Sequence, residues 1–145
     1  MTCKSNCTRR NCMQGSIFLR ISDQELDLSK IDDKLGIHNS RMIFKNQQLH
    51  GNRTSKYNIW LYKEKYYSEN DFDKVLYAFI DLLNSRKEIM KELKVCYEEV
   101  CIIIYLCSEY GQIGYSLKKE FIEKLQQLDM DISFDILSFE LVEDM

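Results

Sequence analysis

Three cysteines near the start of the chain, Cys3-x3-Cys7-x4-Cys12, form the sharpest local grouping of metal-binding residue types. Three thiolates and one imidazole make a tetrahedral zinc site, and His38 and His50, the two histidines, are the available fourth ligands. The spacing argues the other way. No Cys-x2-Cys pair occurs there and no second pair follows, so free thiols in a polar tail are expected. Cys96, Cys101 and Cys107 lie in or beside an apolar run and read as small buried hydrophobes.

Other chemistries are no better served. Each histidine sits in an expected loop, with no carboxylate or cysteine at motif spacing. The acidic pairs Asp32-Asp33 and Glu98-Glu99 are adjacent residues, which do not share a face of a helix or strand and so make no acid–base couple. The five glycines are scattered singly, and no nucleophile elbow, zinc-protease helix or calcium loop appears. No catalytic, cofactor-binding or metal-binding residue is therefore assigned. What remains is an aromatic stripe, Trp60, Tyr62 and Tyr66, in the alternating segment 57–66. Trp and Tyr are common interface anchors because each joins an apolar body to a polar handle. Ile59 and Leu61, purely aliphatic, suit a dry core. The expectation is therefore that Ile59 and Leu61 lie under helices, and that Trp60 and Tyr62 lie on the less covered face and bind a partner. The alternative is that the aromatics are core.

The elements that must position these residues follow from periodicity and punctuation. The chain has 145 residues, a length typical of one domain that needs no disulfide or metal to hold a core. Residues 1–15 are polar, lack periodicity and are expected to form a flexible cysteine-containing tail. Residues 16–142 are expected to form a single domain. Ile17-Phe18-Leu19-Arg20-Ile21 is a short strand. Asp27 can cap a helix over 28–35, and Gly36 fits the left-handed position past its end. Residues 41–44 and 57–66 read as strands. Ser68 with Asp71 opens a long helix, and Asn84-Ser85 interrupts it, with Ser85 and Glu88 repeating the box. The run 100–106, apolar on both faces, suggests a central strand covered on both sides. Tyr110-Gly111 turns the chain into a hairpin partner at 112–115. Ser116 caps a last helix, and Ile132, Phe134 and Ile136 alternate as a final strand. The fold class is α+β: a single, mainly antiparallel sheet with helices packed on it, in the order β-α-β-β-α-α-β-β-α-β.

Charge narrows the partners. The net charge is −3. Residues 1–20 carry Lys4, Arg9, Arg10 and Arg20 and no acid, which leaves the remaining chain at −7. An acidic body repels a phosphate backbone, so nucleic acid is disfavoured and a basic protein partner is favoured. No apolar run approaches the roughly 20 residues of a membrane helix. There is no secretory apolar segment behind Met1, and Thr2 stands where myristoylation needs glycine. A cytoplasmic protein with reduced thiols is expected.

Four stretches together resemble a known family. They are Phe18-Leu19-Arg20-Ile21, the segment 26–37 ending Leu35-Gly36-Ile37, the strand around Trp60, and the closing helix and strand through Phe134-Asp135-Ile136. Their order and spacing resemble the bacterial family catalogued as domain of unknown function 4279. The resemblance covers residues 16–139. The family tends to place a proline soon after the Leu-Gly-hydrophobic turn, where this chain has His38-Asn39-Ser40. The resemblance implies a small α+β sheet protein without an established activity, and some relatives are thought to neutralise bacterial toxins. It implies no site residues. The expected function is a non-catalytic protein-binding module, an immunity-type inhibitor of a toxin, possessing neither cofactor nor metal. The alternatives are an enzyme with a pocket between sheet and helices, and a metal or redox regulator working through the cysteine tail.

Overall fold

The computed structural model describes residues 13–25, 27–108 and 115–138. The chain forms β1 (Met13–Asp23), α1 (Ile31–Leu35), β2 (Arg41–Ile43), β3 (Asn58–Tyr66), α2 (Glu69–Asn84), α3 (Lys87–Cys96), β4 (Glu99–Ser108), α4 (Lys119–Leu128) and β5 (Ile132–Ser138). The strands make one five-stranded sheet in the order β2-β3-β1-β4-β5. β1 pairs antiparallel with β3 and β4, and β2 pairs antiparallel with β3. β5 runs parallel to β4, because α4 carries the chain back across the sheet between them. The architecture is the expected α+β sheet with helices.

The helices start and stop where local chemistry dictates. Gly36 ends α1 with φ of 66° and donates its N–H to Asp32 O. Asp27 does not cap α1. Its carboxylate turns back onto the N–H and hydroxyl of Ser29, and the helix begins at Ile31. Ser68 caps α2 by accepting from Asp71 N, while the Asp71 carboxylate accepts from Tyr67 N. The break after Asn84 is present, but Ser85 ends α2 instead of starting α3. Its hydroxyl donates to Leu82 O, and Arg86 precedes α3 with no side-chain cap. The Arg86 guanidinium instead donates to Leu35 O and Leu82 O, tying α1 to the turn between α2 and α3. Ser116 likewise does not cap α4, which begins after Lys118.

The core lies on one side of the sheet. Ile17, Leu19 and Ile21 of β1, Trp60 and Tyr66 of β3, and Ile102, Ile104 and Leu106 of β4 form one buried cluster. Buried residues from all four helices complete it, among them Leu35, Phe79, Leu93 and Phe121. The residues of opposite parity, Phe18, Ile59, Leu61 and Ile103, are only half-buried and lie outside that cluster. β4 is therefore interior to the sheet but covered by the described helices on one face, not two. At one end Tyr66 packs edge-on to Phe72, 4.5 Å between ring centroids, and its hydroxyl donates to Tyr105 O. That bond passes over Gly15, where a Cβ would meet both groups.

Two expectations fall outside these strands. The hairpin partner expected at 112–115 is not among the described strands. Tyr115 is in no strand, and the rest of that segment lies outside the described residues. β1 already starts at Met13, and Cys3, Cys7 and Cys12 also lie outside the described residues.

Candidate interaction face

The uncovered side of the sheet can be built row by row from the strand register. Ile43, Ile59, Ser22 and Glu99 lie across it in one row, and Arg41, Leu61, Arg20 and Cys101 in the next. Then come Lys63, Phe18, Ile103 and Ser133, followed by Lys65, Ser16, Tyr105 and Asp135. An apolar band of Ile59, Leu61, Phe18 and Ile103 thus runs through the middle. Charges sort by side: Arg41, Lys63 and Lys65 on the β2–β3 half, Glu99 and Asp135 on the β4–β5 half.

A small polar group sits within this band. Arg20 Nε approaches Glu99 Oε1 at 3.7 Å, which is an ion-pair distance but not a hydrogen bond. That Nε is buried and has no hydrogen-bond acceptor. Cys101 Sγ lies 3.4 Å from the same carboxylate oxygen. Burial, helped by the hydrogen bond to Glu99, pushes the Cys101 thiol up to about 12. It stays protonated and is no nucleophile.

Trp60 and Tyr62 belong to the opposite side, and the expected orientation of β3 is reversed. Trp60 is 0% exposed under the helices, so it cannot touch a partner. Ile59 and Leu61 take the uncovered face. The physical reason is an internal partner for the indole. Trp60 Nε1 donates to Asp32 Oδ1 at 2.7 Å, so the polar handle needs no water. Asp32 also accepts from Asn39 N at 3.2 Å and Asn39 Nδ2 at 3.0 Å, and meets His38 Nδ1 at 2.9 Å. Partial burial pushes the Asp32 carboxyl up, but the hydrogen bonds from Trp60, Asn39 and His38 outweigh it and hold the group below its ordinary 3.8. Asp32 thereby fixes the His38–Ser40 turn, which has no proline to stiffen it. Nothing in the sequence pairs Asp32 with Trp60 across 28 positions.

Tyr62 faces the helices too, but at the edge of their cover. Its ring stacks on Phe79 at 5.7 Å, and its hydroxyl donates to Glu64. Burial, reinforced by Glu64, pushes its pKa up to about 12, so it stays a phenol. Tyr62, Glu64, Lys74, Val75, Ala78, Phe79 and Leu82 line a cleft of about 350 Å³ between β3 and α2. His50 is exposed in the loop before β3. Among the described residues, no three of the His, Cys, Asp and Glu side chains gather into a group able to hold a metal ion.

Comparison with known families adds one result. The family model described as domain of unknown function (DUF4279) matches residues 12–139. The chain belongs to that family. In this DUF4279 member the match spans every strand and helix described above, β1 through β5. No curated protein and no solved structure matches the chain. Among the described residues, no helix is long and apolar enough to cross a membrane.

Proposed function

We propose that this chain is a non-catalytic protein-binding module, an immunity-type inhibitor that masks a toxin in the cytoplasm, and that it binds through the uncovered face of its sheet. The observation that carries the reading is the one-sided placement of the helices. Every buried helix residue joins the cluster with Ile17, Leu19 and Ile21, which leaves Phe18, Leu61 and Ile103 half-exposed on a rigid sheet. An apolar centre with charges at its margins is the anatomy of a protein interface. The net charge of −3 draws a basic partner at long range. At contact, the split of Lys63 and Lys65 against Glu99 and Asp135 selects a surface with the reverse split.

The cleft beside Tyr62 supports a second reading, an enzyme working between sheet and helices. It has an apolar floor and a Glu64–Lys74 rim. The high pKa of Tyr62 leaves that phenol unable to act as a base near neutral pH.

The test is co-purification of the tagged chain from its host, with identification of the bound protein. Leu61→Ala should remain folded and weaken the complex about 10–30-fold, the range of an interface anchor. Co-expression of the wild-type chain should protect cells from that partner, and the variant should protect less. A partner bound equally by wild type and Leu61→Ala, or one whose toxicity the chain does not relieve, would refute the reading.

A further inference from the structure

The outer edge of β5 is an unusual surface for a lone chain. β5 is the last strand of the sheet, with β4 on one side and no strand on the other among the described residues. Ile102 N donates to Asp131 O, which fixes the strand's parity. The backbone groups of 131, 133 and 135 turn toward β4, so those of Ile132, Phe134 and Ile136 turn outward. An edge of unpaired N–H and C=O groups is a template for another strand, and proteins usually blunt it with charge, proline or a bulge. Here the outward residues are apolar. Phe134 is 40% exposed and Ile136 is 59% exposed, and Asp135 is the one charged residue between Ile132 and Ser138.

We infer that this edge pairs with the same edge of a second copy, β5 antiparallel to β5, about a two-fold axis through Phe134. The argument lies in the order of residues. Ile132-Ser133-Phe134-Asp135-Ile136 reads the same in both directions, except that Ser exchanges with Asp. Pairing about Phe134 sets Ile132 against Ile136 of the other copy and Phe134 against itself. All of these carry outward backbone groups and exchange both hydrogen bonds of an antiparallel pair. The same register sets Ser133 against Asp135, a hydroxyl donor against a carboxylate. A shift of the axis to Asp135 would set that carboxylate against its own copy, which is destabilising in a directly opposed pair. The charge pattern therefore selects one register as well as one occupant. The axis stands perpendicular to the sheet, so the helices of both copies lie on one side of a continuous sheet and the two uncovered faces lie together on the other. The inference does not rest on the proposed function, and it leaves those faces free apart from Ser133 and Asp135 at their shared edge.

The experiment is sedimentation of the full chain over a concentration series, with hydrogen exchange read at the β5 amides. A contact made by one edge strand of each copy belongs to the weak class of interfaces, so dimer is expected at about 10–100 μM. The amides of Phe134 and Ile136 should become protected as dimer forms. Phe134→Lys places two cations on the axis and should weaken the dimer at least tenfold. Ser133→Lys is exposed and should still fold; it sets a new cation against Asp135 and should tighten the dimer several-fold. A monomer throughout the range overturns the inference, whether the two amides exchange freely or are covered by the chain's own residues. A dimer indifferent to both variants places the interface elsewhere and overturns it equally.

Discussion

Trp60→Phe tests the internal pairing that reversed β3. The substitution keeps an aromatic ring in the core and removes the Nε1 donor that reaches Asp32 at 2.7 Å. A hydrogen bond to a charged acceptor contributes about 1.5–3 kcal/mol, and the smaller ring adds a cavity term. A loss of about 2–4 kcal/mol at pH 7 is expected, a large part of a typical 5–15 kcal/mol stability. With a urea m-value of about 2 kcal/mol/M, the midpoint falls by roughly 1–2 M. Circular dichroism is the probe, since Trp60 is the single tryptophan. The pH dependence follows from the sign of the Asp32 shift. Its folded pKa lies below 3.8, so the ionised group contributes stability above that value and loses it as pH falls through the folded pKa. Without the indole donor the folded pKa rises. The penalty of Trp60→Phe is therefore largest near neutrality and shrinks in acid. Asp32→Asn keeps an acceptor but drops the charge, so the double variant should be non-additive by about 1 kcal/mol or more. A penalty under about 0.5 kcal/mol at pH 7, or one that does not shrink as pH is lowered through the acid transition, would refute the pairing.

Gly15→Ala should destabilise by about 1–3 kcal/mol or more in thermal melts, because its Cβ runs into the Tyr105 carbonyl and sits 2.7 Å from the Tyr66 hydroxyl. Ser85→Ala should cost no more than about 1 kcal/mol by urea titration, since it removes two exposed bonds, one to Leu82 O and one from Arg86 Nη1, and no N-cap. Lys63→Glu should leave stability within about 0.5 kcal/mol and slow association with the partner, an effect that fades as salt rises, measured by surface binding kinetics.

The sequence alone carried the order of the nine described elements, because punctuation and periodicity are local, while the strand expected at 112–115 is not among them. Gly36, Ser68 and the Asn84-Ser85 break act within one helical turn, and the alternation of 57–66 identifies a strand whatever surrounds it. The family was legible for the same reason, as an ordered set of such segments. Alternation says which residues share a face but not which face the helices take. Residue type suggested that aliphatic Ile59 and Leu61 were inside and amphipathic Trp60 was outside. That preference holds only while the indole N–H lacks a buried acceptor, and Asp32 supplies one from 28 residues away. Ser85 and Ser116 show the same limit, since a cap residue is useful only at the helix end that packing selects. The apolar pattern of β4 fits a strand buried on both sides and equally one whose second side is only half-covered. The tertiary structure decided these questions because each turns on a long-range contact, and a contact between distant residues leaves no spacing in the chain.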